Sequence, residues 1–263
     1  SDSRVILWDI ALKERFFGHS DWVIDFDISP SEKFMVTGSC SSRNNEGQCI
    51  SGELFLWDLE EGKYTEIENE HLGFITAVAY SNDGYRFATG GDDGKTILWD
   101  ANTLQPIVTF TDKNIVSIED VRFIPGKNQL VISGCGEWQG PYCQKHEVII
   151  LDTETYEKVH NFRSNGNSHF DYSVLRISVN PSGTLLATGT NEIILWDLST
   201  YEEIATLENN PLFGSDELFI SMEFSSDGKI IATGNCNKRP SFLAKCIEGK
   251  ITLWDLDTNT LVS

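Results

Sequence analysis

The sequence predicts an all-β fold made of four-stranded antiparallel sheets that repeat along the chain. Three observations lead to this prediction. Short runs of alternating apolar and polar residues are rich in β-branched and aromatic side chains, which is typical of strands. Tight-turn sequences such as Asn82-Asp83-Gly84 separate these runs. The unit of four runs occurs in five complete copies, spaced by roughly 42 residues.

Residues 71–110 show the repeat unit most clearly. The sequence predicts strand a at residues 74–80, strand b at 85–89, strand c at 96–99 and strand d at 104–110. The chain starts with a predicted strand c at residues 4–8, followed by a strand d. We therefore expect the chain to begin in the middle of a repeat, with five complete meanders after it.

Strand c of nearly every copy ends in the same dipeptide. Trp-Asp occurs at five of the six positions, and Leu151-Asp152 occupies the sixth; the five are Trp8-Asp9, Trp57-Asp58, Trp99-Asp100, Trp196-Asp197 and Trp254-Asp255. Together with the His before strand a and the forty-residue spacing, this pattern resembles the WD-repeat family of β-propellers. The resemblance extends over essentially the entire chain.

The resemblance implies a β-propeller of four-stranded blades, with five complete blades and a half blade in a single domain over residues 1–263. We expect this domain to be truncated on its N-terminal side and to belong to a longer chain that completes a seven-bladed ring. A six-bladed ring that lacks two strands, and completion by another subunit, are the alternatives.

The resemblance also implies a structural role for one set of four residues. In the family a His, a Ser or Thr of strand b, a turn Asp and the Trp of strand c form a hydrogen-bonded tetrad. His71, Thr89, Asp93 and Trp99 occupy these positions. The other blades keep only part of the set, so their internal hydrogen bonds are harder to predict.

Charge restricts the classes of partner. The chain has 40 acidic and 20 basic residues and a formal net charge of -20. Such a surface repels phosphate backbones and anionic membranes, so we expect neither nucleic acid nor membrane insertion. The predicted partner is another protein or a second copy of the chain.

Six cysteines form three pairs in the same register. The pairs are Cys40 with Cys49, Cys135 with Cys143, and Cys236 with Cys246, and each lies in a long connection between strands b and c. We expect each pair to form a disulfide at the neck of its loop, with the first cysteine just after strand b. Free thiols and a metal site are the alternatives, and the spacing disfavours metal.

The cysteines also bear on the cellular compartment. Disulfides persist in oxidising surroundings, so we expect an extracellular or periplasmic protein. The alternative is a cytoplasmic scaffold subunit of a large complex, with reduced cysteines.

The long connections all lie at one end of the blades, which makes that face the predicted binding surface. Aromatic residues concentrate there, and exposed aromatics anchor many protein interfaces. The candidates are Trp22, Phe74, Trp138, Tyr142, Tyr172, Phe213 and Phe242. The alternative for Trp22, Phe74 and Tyr172 is that they only pack the ends of their blades.

No catalytic constellation emerges from the sequence. Acidic pairs such as Asp92-Asp93 fall in predicted hairpin turns, and there is no nucleophile elbow, phosphate loop or zinc motif. We therefore expect no catalytic residue, no cofactor and no metal, although calcium held by turn carboxylates is an alternative. The predicted function is a non-enzymatic scaffold; an enzyme with its site in the central channel is the least favoured alternative.

Overall fold

The computed structural model describes residues 4–8, 13–139, 142–162, 176–189, 193–207, 218–238, 248–258 and 260–262. Within these ranges the chain forms strands and turns only. The strands, in chain order, are β1 (Arg4–Trp8), β2 (Lys13–Phe17), β3 (Asp25–Ile28), β4 (Phe34–Arg43), β5 (Cys49–Asp58), β6 (Lys63–Glu66), β7 (Ile75–Tyr80), β8 (Arg86–Gly91), β9 (Lys95–Asp100), β10 (Pro106–Thr111), β11 (Ser117–Phe123), β12 (Gln129–Gln139), β13 (Tyr142–Asp152), β14 (Lys158–Phe162), β15 (Arg176–Val179), β16 (Leu185–Gly189), β17 (Ile193–Asp197), β18 (Glu203–Leu207), β19 (Leu218–Phe224), β20 (Ile230–Lys238), β21 (Glu248–Asp255) and β22 (Thr260–Leu261).

These strands pair in simple meanders. β1 and β2 form a two-stranded sheet, and each following group of four consecutive strands forms one four-stranded sheet. We number these the first (β3–β6), second (β7–β10), third (β11–β14), fourth (β15–β18) and fifth (β19–β22) sheets. The prediction of an all-β fold with five complete antiparallel four-stranded blades is confirmed. The number of blades in the whole ring, and the single domain, stay predictions.

The chain divides into two compact units, residues 1–121 and 122–263. In the first unit, apolar residues of the first and second sheets form one core cluster that includes Leu54, Ile75 and Phe87, with Trp99 nearly fully buried. In the second unit, one cluster joins Val131, Ile150 and Trp196, and another surrounds Trp254. Each core combines residues of consecutive sheets, as stacking repeats require.

Two side chains of β3, the first strand of the first sheet, bond to the backbone of β7, the first strand of the second sheet. Asp25 Oδ2 accepts a hydrogen bond from the Val78 N–H at 2.9 Å, and Asp27 Oδ2 accepts one from the Tyr80 N–H at 2.7 Å. The two Asp residues lie in β3, whereas both donors lie in β7, the edge strand of the second sheet. Side chains of one repeat therefore satisfy backbone donors of the next.

Glycine occupies strand b where a neighbouring sheet approaches closely. A Cβ on Gly38 would lie 2.5 Å from Ile75 Cγ2 of β7, and a Cβ on Gly90 would overlap Ile118 Cγ2 of β11. Only a hydrogen atom fits in these positions. At Gly38 and Gly90 the glycine of the Thr-Gly pair thus follows from the packing of one sheet on the next.

Two of the predicted long connections between strands b and c are instead extended hairpins. In the first sheet β4 and β5 each have 10 residues, and in the third sheet β12 and β13 each have 11. The expectation that Cys40, Cys135 and Cys236 follow the end of strand b was wrong, because all three lie within a strand. β-Bulges next to each of them let the ladder continue past the cysteine.

Candidate functional site

The second sheet brings the four predicted tetrad residues into one hydrogen-bonded network. The Trp99 Nε1–H donates to Thr89 Oγ1 at 3.0 Å, and His71 Nε2 lies 2.8 Å from the same oxygen. His71 Nδ1 lies 3.1 Å from Asp93 Oδ1. Because a carboxylate only accepts, the proton belongs on Nδ1, and in the neutral ring Nε2 then accepts from the Thr89 hydroxyl. Thr89 is therefore the hub of the network.

Asp93 fixes the segment that precedes β7. Its Oδ2 accepts from the Leu72 N–H at 2.9 Å, and Oδ1 also accepts from the Lys95 N–H at 3.1 Å. Burial alone would raise the pKa of Asp93, but the hydrogen bonds from His71 and Leu72 hold it below its ordinary value. The ionised carboxylate thereby anchors the turn on which Leu72 and Phe74 are presented.

The first sheet builds the same network with a different acid. The Trp57 Nε1–H donates to Thr37 Oγ1 at 2.8 Å, and His19 Nε2 lies 2.5 Å from that oxygen. Here the carboxylate beside His19 Nδ1, at 2.6 Å, belongs to Glu53 of β5. Glu53 also accepts from the backbone N–H and the hydroxyl of Ser20. Burial has the largest single effect and raises the pKa of Glu53, but the hydrogen bonds from His19 and Ser20 together outweigh it and lower the pKa overall.

Sequence reasoning missed Glu53. The extended hairpin carries the b-to-c turn far from His19, so no turn Asp is available, and a residue four positions before Trp57 takes its place. The signal in the sequence was an acidic residue four positions before the first residue of Trp57-Asp58 and of Leu151-Asp152, in the first and the third sheet, which are the two with extended hairpins. Glu147 is the counterpart in the third sheet, where it bonds Asn161 and Lys145 instead of a His.

Two disulfides bridge the extended hairpins. Cys40 is bonded to Cys49 with a Cα–Cα distance of 6.0 Å, and Cys135 to Cys143 with 5.7 Å. The bonded residues are not direct partners in the ladder, because Cys40 lies opposite Gly52 and Cys49 lies opposite Arg43. Each disulfide thus spans the ladder diagonally, within the hairpin. The predicted pair Cys236 and Cys246 lies outside the residues whose side chains the structure describes.

Arg43, beside the first disulfide, joins the predicted aromatic residues of the first unit. Its Nε donates to Asp21 Oδ2 at 2.5 Å, and its guanidinium carbon lies 4.9 Å from the centroid of the Phe74 ring. This hydrogen bond is the main reason that the pKa of Asp21 is lowered. We call Asp21, Trp22, Arg43, Leu72 and Phe74 the Arg43 cluster.

The Arg43 cluster exposes apolar surface on a fixed scaffold. Trp22 is 54% exposed and Leu72 is 69% exposed, whereas Phe74 is half-buried under Arg43. Two hydrogen-bonded networks, around His19 and His71, hold the chain segments on either side. More than half of Trp22 is thus accessible to solvent, and its role in binding stays a prediction.

The other predicted contact residues belong to the second unit. Trp138 lies near the end of β12 and is 46% exposed. Tyr142 begins β13, but its side chain lies outside the described part, as do residues Tyr172, Phe213 and Phe242 altogether. Among the described residues, no group of three or more His, Cys, Asp or Glu side chains is arranged to hold a metal ion. No helix long and apolar enough to span a bilayer occurs in the described ranges.

The pKa of Asp92 is shifted in the opposite direction from that of Asp93. Its carboxylate lies over Gly73, and burial, with the neighbouring charge of Asp93, raises its pKa from 3.8 to about 6. The folded state therefore binds this proton more tightly than the unfolded chain does, so ionisation of Asp92 costs stability as the pH rises through this window.

We expect Asp92→Asn to stabilise the protein at neutral pH. Because part of the Asp92 surface stays in water, the gain in unfolding free energy should be about 1 kcal/mol near pH 7.5. Below the ordinary pKa of Asp, where Asp92 is protonated in both states, the gain should vanish. Urea unfolding at both pH values measures this, and an equal gain at both would contradict the electrostatic cause.

Comparison with known proteins adds independent observations. A family model described as "WD domain, G-beta repeat" matches residues 11–58 and 62–100. Similar proteins include the "Periodic tryptophan protein 2 homolog" of Dictyostelium discoideum, which is 27% identical over 58% of this chain and 16% of its own length. The "Guanine nucleotide-binding protein subunit beta" of Oryza sativa subsp. japonica is 25% identical over 72% of this chain and 49% of its own length.

A third relative is the "Small ribosomal subunit protein RACK1" of Drosophila melanogaster, 28% identical over 38% of this chain and 29% of its own length. The matched part thus spans about half or less of the length of these curated relatives. The matched repeats, the phased Trp-Asp endings and the five four-stranded sheets lead to one conclusion. Residues 11–58 and 62–100 are repeats of the WD-repeat family, and the sheets that follow them keep the same strand order.

Proposed function

We propose that this chain is a non-enzymatic scaffold that binds another protein, or a second copy of itself, through the Arg43 cluster. The observation that carries the proposal is the exposure of Trp22 and Leu72 on segments held by buried hydrogen-bond networks. A rigid exposed aromatic residue loses little conformational entropy on binding, which makes it an effective anchor. The family model and the relatives, one of which is named as a ribosomal subunit protein, support a role in assembly.

The proposal predicts that Trp22→Ala combined with Leu72→Ala strongly weakens partner binding without unfolding the chain. Truncation of two interface anchors typically weakens binding by 2 kcal/mol or more, which is about thirtyfold. Affinity purification from the native source with quantitative mass spectrometry measures the partners, and analytical ultracentrifugation measures self-association.

Tyr85→Ala is the matched control for this double variant. Tyr85 is 66% exposed but follows the turn between strands a and b, at the opposite end of its sheet. We expect this variant to retain the partners of the unmodified protein. If the double variant and the control retain the same partners, the Arg43 cluster is not the interface.

The relatives support the intracellular form of this proposal, a scaffold subunit of a large complex, since one of them is named as a small ribosomal subunit protein. The two disulfides are the specific observation in favour of the second candidate, an extracytoplasmic scaffold. Mass spectrometry after alkylation of the denatured protein from its native source, with and without reduction, separates the two. Reactive thiols without reduction support the intracellular scaffold, and thiols that react only after reduction support the extracytoplasmic one.

A further inference from the structure

A groove in the first unit is not part of the Arg43 cluster. It has a volume of about 620 Å³ and lies between residues 66–70, at and after the end of β6, and strands β9 and β10 of the second sheet. This volume is within the range of about 300 to 1,000 Å³ that is usual for ligand sites. Ile97 and Trp99 form its apolar floor, and Thr109 of β10 forms part of one wall.

The opposite wall is acidic and regularly spaced. Glu66, Glu68 and Glu70 line the groove, and the lining includes no Lys, Arg or His. Exposure alternates along this segment, since the three Glu residues are exposed whereas Ile67 is buried and Asn69 is half-buried. Alternation of this kind places the three carboxylates on one side of an extended chain, roughly 6.6 Å apart. No described side chain forms an ion pair with any of the three.

The groove also runs beside an open sheet edge. β10 is the outermost strand of the second sheet and pairs only with β9. Its residues 106–111 carry no charged side chain. The backbone groups on its outer side are therefore open to an added strand, a recurring mode of peptide recognition.

We propose that this groove binds an extended, positively charged segment of a partner protein, with Lys or Arg at alternate positions. The alternate spacing of the basic residues would match that of the three carboxylates, and the residues between them would face the apolar floor. Charge complementarity selects this occupant, because a row of three unpaired carboxylates repels acidic or phosphorylated segments. The proposal concerns a second surface and does not depend on the role of the Arg43 cluster.

Fluorescence anisotropy with the whole chain tests the proposal directly. The probe is a fluorescein-labelled peptide of sequence Lys-Val-Lys-Val-Lys-Val, and its comparison is the rearranged peptide Lys-Lys-Lys-Val-Val-Val. The alternating peptide should bind more tightly than the rearranged one, and its affinity should fall as salt is added. Equal affinities for the two peptides, or no binding of the alternating peptide at about millimolar protein, would overturn the proposal.

A charge-matched pair of variants locates the binding. Glu66→Gln, Glu68→Gln and Glu70→Gln combined should weaken binding of the alternating peptide about tenfold. The control combines Glu60→Gln, Glu157→Gln and Glu202→Gln, three exposed positions that do not line the groove but change the net charge equally. The affinity of this control variant for the alternating peptide should stay within about twofold of that of the unmodified protein. Equal weakening in both would show that only the overall negative charge attracts the peptide, and the groove proposal would fail.

Discussion

Thr89→Val should destabilise the protein by about 3 kcal/mol, although the two side chains have nearly the same volume. Thr89 Oγ1 accepts from Trp99 Nε1 and pairs with His71 Nε2, and all three side chains are buried. Valine leaves both ring nitrogens without a partner in a site that water does not reach, and each such group costs about 1 to 3 kcal/mol. Urea unfolding followed by tryptophan fluorescence measures the loss.

Thr111→Val is the control for this substitution. Thr111 lies in β10 of the same sheet and is exposed, so the same chemical change should alter the unfolding free energy by no more than about 0.5 kcal/mol. A second test uses Thr37→Val in the first sheet, where the same hub position joins Trp57 and His19. Similar losses at Thr89 and Thr111 would mean that the tetrad contributes little beyond packing.

Gly90→Ala should destabilise the first unit by about 2 to 3 kcal/mol, even though alanine is usually the better residue in regular structure. The added methyl group would overlap Ile118 Cγ2 of β11, which is itself almost fully buried. Close-packed interiors respond to such overlap by shifting the backbone, because few voids are available. The shift in the midpoint of urea unfolding measures this cost.

The fourth sheet offers a control at the same repeat position. A Cβ on Gly189 would lie 3.5 Å from Met222 Cε, an ordinary contact with the end of a flexible side chain. Gly189→Ala should therefore leave the free energy of unfolding nearly unchanged. Ile118→Ala should also reduce the cost of Gly90→Ala when the two are combined, since it removes the methyl group that overlaps. Equal costs with and without Ile118→Ala would rule out the overlap as the cause.

The repeated four-stranded sheets were predictable because their signals are local. Alternating apolar residues, Asn-Asp-Gly turns and the phased Trp-Asp endings are each contained within about ten residues of sequence. The strands of the second sheet differ from the predicted ranges by at most two residues at each end. The place of His71 beside Thr89 and Asp93 could be anticipated only from the resemblance to the WD-repeat family.

The features that escaped prediction depend on register and on contacts between distant residues. The sequence does not show that β4 and β5 stay paired beyond Cys40, because a β-bulge leaves no regular pattern. Glu53 reaches His19 only once this register is known. The acidic groove likewise needs the segment after β6 to lie against β9 and β10, an arrangement set by packing and not by local sequence.

The bonds from Asp25 and Asp27 to β7 have a consequence for how the repeats open. The Val78 and Tyr80 amides point away from their own sheet, so their protection from hydrogen exchange depends on the carboxylates of the preceding sheet. Exchange at these two amides should therefore report the opening of the first sheet even while the second stays folded. Coupling of this kind makes the protection of one repeat depend on the folding of the repeat beside it, although no backbone ladder joins the two sheets.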